Sequence, residues 1–341
     1  MGRSLGALAL LAMLGACGVE VPAERGAIAP GDGSSGLPQG VPEGSGVPDA
    51  VVPDAAPPDA AVPDRTEPST PPDAAVPDRT EPGPPAAPPD GDLEVHFLDV
   101  GQGDAALVLH ADARLLIDTG DYRGSEVVAA LRGLGIDRLD LVIVSHPHAD
   151  HIGQFDRVLS EIEVDEVWWS GSVTTTRTFE RAVAALEAST AGYEEPRAGD
   201  RARFGPVDVE VLHPRRGASF GDLHDAMLVV RVTYGEVRFL FTGDAEGPVE
   251  ARMLDAPTGV GADVLKVGHH GSRTSTTPAF LAAVAPSVAV YSAGAGNRYG
   301  HPHDEVVTRI EAAGIELFGT DRVGTVVVST DGRAITVRTR R

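Results

Sequence analysis

The chain has 341 residues, a formal net charge of −22 at pH 7 and one cysteine, Cys17. That cysteine count excludes a disulfide within the chain and a thiolate metal site in its folded part. The acidity argues against a broad nucleic-acid-binding face, because such faces are basic; it does not exclude a nuclease, since bound metal ions add local positive charge that a residue count misses.

The chain opens with an address. Arg3 precedes an apolar run from Leu5 to Leu14, which is too short to span a bilayer and has the build of a signal-peptide core. Leu14-Gly-Ala-Cys17 resembles a bacterial lipobox. The resemblance implies cleavage before Cys17, acylation of its thiol and attachment to a membrane through that lipid anchor, with more than one acyl chain giving stable anchoring. Gly18, where no Asp follows the cysteine, points by analogy to the outer membrane of the cell envelope. An extracellular destination is the alternative, and an ordinary secretory signal with a chance cysteine is the plainer reading.

Residues 18–92 are rich in Pro, Ala, Asp and Gly. Pro57-Pro-Asp-Ala-Ala-Val-Pro-Asp-Arg-Thr-Glu-Pro68 recurs as Pro71 to Pro82. Nine Asp and five Glu against three Arg give the segment a net charge of −11, half of the total. Few large apolar side chains are available to offset the entropy of ordering, so the segment reads as a disordered, extended tether. No obligate protein partner is evident.

The globular part reads from Leu93 to the C-terminus. Apolar alternation predicts strands at Leu93–Val100, Ala105–Leu109 and Arg114–Ile117. Helical spacing follows at Ser125–Leu134. Leu139–Ser145 is a continuous apolar run, as in a strand buried on both faces. Glu166–Trp169 reads as a strand and Thr178–Ala188 as a helix. Val207–Leu212, Met227–Tyr234 and Val237–Thr242 read as strands. Helices at Pro248–Leu254, Pro278–Val284 and Asp304–Ala313 alternate with strands at Asp263–Val267, Val288–Ser292 and Glu316–Phe318. Strands at Thr325–Ser329 and Ala334–Val337 close the chain. Hairpins alternating with helices in two similar passes imply an α/β fold: two mixed β-sheets packed face to face with helices outside, an αββα sandwich.

The densest chemistry is His146-Pro-His148-Ala-Asp150-His151, directly after the buried strand. Four potential ligands in six residues at a strand end suit zinc, manganese or iron. Such a cluster can hold the open, water-binding metal site that hydrolysis needs.

This H-x-H-x-D-H run resembles the hallmark of the metallo-β-lactamase superfamily. Leu116-Ile-Asp118-Thr-Gly120, Leu240-Phe-Thr-Gly-Asp244 and Val267-Gly-His269-His270-Gly-Ser272 resemble its further motifs in the same order. Phe97-Leu-Asp-Val-Gly-Gln-Gly-Asp104 and Tyr299-Gly-His301-Pro-His303 narrow the resemblance to the ComEC-type, competence-protein-like branch. The channel helices of that branch are absent, so transport is not implied.

The resemblance implies two divalent metal ions, zinc or manganese. His146 and His148 would bind the first and Asp150 and His151 the second, with Asp244 bridging them. His269 would complete the second site, and His270 would support it from behind. In Leu223-His224-Asp225-Ala226, Asp225 fits the missing ligand position of the first metal best, with His224 the neighbouring candidate and neither a further possibility. A carboxylate there would favour manganese. Asp118 is expected to buttress the His146 loop. Asp99 and Asp104 read equally as turn residues. Ser272, Asn297, Tyr299 and His301 are expected around the substrate, with His301 as a substrate contact or proton donor and His270 as the alternative donor. The plainer reading of Asn297, Tyr299, His301 and His303 is a turn and a helix start. Trp168 and Trp169 read as core.

The implied activity is metal-dependent hydrolysis by a hydroxide held between two dications and oriented by Asp150. The expected substrate is a phosphodiester, as for a nuclease or an esterase of envelope phosphodiesters. It would be a small-molecule or polymeric ester, with nucleic acid among the candidates. Lactone, β-lactam or other carboxylic substrates are the alternative, and a non-catalytic surface binding lipoprotein is the third reading.

Overall fold

The computed structural model describes residues 91–218 and 223–340. The expected signal segment, Cys17 and the expected tether up to residue 90 lie outside the described residues. The strands, in chain order, are β1 (Leu93–Phe97), β2 (Ala106–His110), β3 (Ala113–Ile117), β4 (Arg138–Leu139), β5 (Leu141–Val144), β6 (Glu163–Val164), β7 (Glu166–Trp169) and β8 (Gly192–Glu194). They continue as β9 (Arg201–Phe204), β10 (Val207–His213), β11 (Val229–Tyr234), β12 (Val237–Phe241), β13 (Val264–Lys266), β14 (Val288–Tyr291), β15 (Glu316–Gly319), β16 (Thr325–Thr330) and β17 (Ile335–Arg340). The α-helices are α1 (Glu126–Gly133), α2 (Phe155–Glu161), α3 (Arg177–Ala188), α4 (Gly247–Leu254), α5 (Pro278–Val284), α6 (Asp304–Ala312) and the short α7 (Thr320–Val323).

The first sheet runs β17-β16-β1-β2-β3-β5-β7-β8 and the second β15-β14-β13-β12-β11-β10-β9. Both are mixed. Pairing is parallel from β3 through β5 and β7 to β8, and again from β12 to β15. All four residues of β5 are buried, as expected of a parallel strand covered on both faces.

Three apolar layers hold the sandwich. One lies between the sheets and includes Val95, Phe97, Val230, Phe239 and Phe241. The Phe97 and Phe241 rings stack there at 5.9 Å. The second layer packs α1, α2 and α3 on the first sheet, and the third packs α4, α5 and α6 on the second. In α3, Phe179, Ala182, Val183 and Leu186 recur at helical spacing and are buried, and the Thr176 hydroxyl caps the helix by accepting from the Phe179 amide. Trp169 meets Phe155 and Phe179 edge-on, and Trp168 enters the inter-sheet core. Both tryptophans therefore serve the core.

Two details depart from the local sequence pattern. The expected strand Leu139–Ser145 breaks at Asp140, whose carboxylate accepts from the Arg114 amide at 2.8 Å. Leu139 instead pairs with Val164 in a two-stranded ribbon. The last two strands do not extend the second sheet. They return to the first, with β16 alongside β1, so the two passes are unequal. Among the described residues no helix is long and apolar enough to cross a membrane.

Candidate metal centre

The loops that carry chemistry follow the C-terminal ends of β3, β5, β12, β13 and β14, where parallel strands of the two sheets end side by side. Open α/β sheets commonly place ligands at that edge. Asp118 ends β3 with a left-handed backbone, φ 59°. Its carboxylate accepts from the Ser145 amide and hydroxyl, both at 2.7 Å, and faces His151 Nδ1 at 2.9 Å. Holding Nδ1 turns Nε2 of His151 inward. The turn is closed further by the amides of Thr119 and Gly153, bound to the carbonyls of His151 and Gly120. Gly153 is required there, because a Cβ would lie 2.0 Å from the Tyr122 nitrogen. Asp118 thus ties the turn after β5 to the end of β3.

Two groups of ligand atoms converge. His146, His148, His224 and Asp244 form one, their ligand atoms all within 4.8 Å of one another. His146 Nε2 and His148 Nδ1 are 2.8 Å apart. Asp150, His151 and His270 form the other within the same limit. Asp244 faces both: its Oδ2 is 3.6 Å from His146 Nε2, and its Oδ1 is 3.3 Å from His151 Nε2 and 3.6 Å from His270 Nε2. Asp244 Oδ1, His151 Nε2 and His270 Nε2 are buried and have no hydrogen-bond partner. Buried polar atoms are seldom left so. Converging imidazole and carboxylate atoms with that need fit divalent cations well.

Two expected ligands lie outside these two groups. Asp225 does not enter the first group. Its side chain ion-pairs with Arg252 on α4, and its carbonyl lies 2.9 Å from His213 Nε2. These contacts turn the neighbouring His224 inward, its ring 4.9 Å from that of His148. His269 likewise stays outside the second group. Its Nδ1 is 3.3 Å from Glu246, its Nε2 is 3.7 Å from Asp244 Oδ2, and its side chain is 22% exposed. His270 is buried, with Nδ1 3.0 Å from the Ser292 carbonyl and Nε2 3.4 Å from Asp150. The reason is the backbone: both histidines have positive φ, 49° and 55°, so the turn swings the second ring into the site.

The rim is built differently from the expectation. Asn297 spends its amide on its own loop, accepting from the Tyr299 and His301 amides and donating to the carbonyls of Gly294 and His301. It shapes the loop and contacts no ligand group. Ser272 bonds Thr274 at 3.0 Å within its turn. His303 accepts from the Arg273 amide at the start of α6, and Asp99 accepts from the Gly101 amide as a turn residue. Tyr299 is 49% exposed and stacks on His301. His301 lies 5.6 Å from the His269 ring. Burial, then the charges of His270 and His269, push its pKa down to about 4. That direction favours the neutral ring in the metal-free chain, as in a substrate contact.

Two residues were not singled out as site members. Asp104 and Lys266 are both buried and paired at 2.7 Å, and Asp104 Oδ1 lies 3.2 Å from His270 Nδ1. The available signal was rarity, since Lys266 is the sole lysine of the chain.

Burial alone would lower the pKa of His270, but the Asp244 and Asp104 charges outweigh it and push the value up to about 10. The metal-free ring therefore carries a proton at pH 7, and a ligating ring must be neutral. Metal binding should release that proton. Affinity should rise with pH up to about pH 10, by about tenfold per unit per proton displaced. Calorimetry in two buffers of different ionisation enthalpy measures the release; equal heats in both would contradict it.

Residues 98–295 match the family described as the metallo-beta-lactamase superfamily, more than half of the chain. The chain is 31% identical over 252 residues to ComE operon protein 3 of Bacillus subtilis, covering 68% of this chain and 32% of that protein. It is 33% identical over 243 residues to competence protein ComA of Neisseria gonorrhoeae, covering 70% and 33%. A ribonuclease of Thermus thermophilus matches at 32% over 111 residues, covering 32% and 23%. The chain thus spans about a third of the length of the two competence proteins. With a family match over most of the four-layered fold and the motif residues gathered at one edge, the chain belongs to the metallo-β-lactamase superfamily and is similar within it to competence proteins of the ComEC type.

Proposed function

We propose that the chain is a dinuclear metal-dependent phosphodiesterase, held at the cell envelope by a lipid anchor on Cys17. The observation that carries this reading is buried Asp244, whose two carboxylate oxygens face two separate groups of ligand atoms. His146, His148 and His224 would hold one ion, Asp150, His151 and His270 the other, and Asp244 both. Bound dications would supply Lewis acidity and lower the pKa of a water towards neutrality. Three imidazoles in the first group tilt the choice towards zinc, where a carboxylate from Asp225 would have favoured manganese.

The chain's own residues supply position. Asp150, 28% exposed at its side chain, would accept a hydrogen bond from the attacking water and aim it. Asp118, through Ser145 and His151, fixes the turn that presents the ligands. His301 and Tyr299, stacked at the rim, are placed to contact a substrate. The similarity to a protein named as a ribonuclease supports a phosphodiester over a carboxylic ester.

The test is turnover by the full chain, with zinc or manganese restored, on a chromogenic phosphodiester, a lactone and a β-lactam in parallel. A phosphodiester preference supports the reading. Preference for a carboxylic substrate overturns the substrate class, and no turnover at full metal occupancy moves the weight to binding alone. The anchor is tested by membrane fractionation of wild type and Cys17→Ser; an unchanged distribution would count against it.

A further inference from the structure

Apart from one position, the chain carries all its permanent positive side-chain charge on arginine: of 28 Lys and Arg residues, only Lys266 is lysine. It ends β13 in the second sheet, and its side chain is 4% exposed. Its ammonium donates to Asp104 Oδ2 at 2.7 Å and to the Val267 carbonyl at 3.2 Å. Asp104 belongs to the loop between β1 and β2 in the first sheet. Its amide donates to the Asp150 carbonyl, and its carbonyl accepts from the Gly120 amide. The ion pair therefore ties the two halves of the sandwich together beneath the metal-binding edge. A compact ammonium is a point charge with three donors, two of which are met here by Asp104 and the Val267 carbonyl.

The second oxygen of Asp104 lies 3.2 Å from His270 Nδ1, beside the Ser292 carbonyl that meets the same nitrogen at 3.0 Å. The opposite ring nitrogen, Nε2, points to Asp150 and Asp244. A carboxylate behind a ligating imidazole fixes its orientation and raises its basicity. We propose that Lys266 and Asp104 form a positioning unit for the second metal site, in which Lys266 aims the Asp104 carboxylate at His270 and Asp104 holds the His270 ring with Nε2 presented to the ion. This rests on the reading that Asp150, His151 and His270 hold a metal. A purely structural ion pair would stabilise the fold without distinguishing the two metal sites.

The experiment is a cobalt(II) titration of the metal-freed full chain, followed by visible absorption and calorimetry, for wild type, Lys266→Met and the double variant Asp104→Leu/Lys266→Met. The double variant guards against misfolding, since replacing both members of a buried pair by apolar residues is often neutral where removing one is not. Thermal unfolding checks each variant. The expected result is two binding steps in wild type. The variants should lose about 10–100-fold affinity in the step that also disappears in His270→Ala, with the other step and its spectrum unchanged. A folded double variant that keeps both steps at wild-type affinity overturns the proposal, and so does equal weakening of both steps. A single step in wild type would instead overturn the two-metal reading beneath it.

Discussion

Asp244→Asn is expected to remove hydrolytic activity almost entirely while leaving the chain folded. Asp244 is 1% exposed and faces both groups of ligand atoms. Asn keeps the shape but offers one oxygen and no negative charge, so it cannot serve both groups. The loss in kcat should exceed the about 100-fold typical of a residue that only supports a ligand. His146→Ala should match it, because His146 stands beside both His148 and Asp244. Steady-state kinetics with metal in excess would measure this, with thermal unfolding as the check on folding. A variant within tenfold of wild type would place the chemistry elsewhere.

His270→Ala should cost far more than His269→Ala, although the two are neighbours in the sequence. His270 presents a buried, unpartnered Nε2 to Asp150 and Asp244. His269 stands at the rim against Glu246, within reach of Asp244 only through its outer nitrogen. The expected outcome is loss of one bound metal and of nearly all turnover in His270→Ala. His269→Ala should retain two metals and change KM more than kcat, as for a rim contact. Metal content and kinetics on both variants decide it; the reverse ranking would restore the ligand choice made from the motif alone.

The architecture was largely legible because its signals are local. A buried run such as Leu141–Val144 and the helical spacing of Phe179, Ala182, Val183 and Leu186 need no distant information. The His146 to His151 run was legible for the same reason: four potential ligand residues lie within six positions. What escaped depends on contacts far away in the chain. The return of β16 to β1 joins residues more than 200 positions apart. The inward turn of His224 is decided by Arg252, 27 residues beyond Asp225. In the His269–His270 pair left-handed backbone at both positions turns the second ring towards Asp150, which a motif does not display. Asp104 looked like one more turn residue in a glycine-rich loop, because its partner Lys266 is 162 residues away.

Metal stoichiometry tests the central claim most directly. The full chain would be freed of metal, dialysed against zinc, and its bound metal counted per chain alongside His270→Ala. Two ions in wild type and one in the variant is the predicted result. At most one ion in wild type, or the same count in both proteins, would contradict a dinuclear centre built on Asp244.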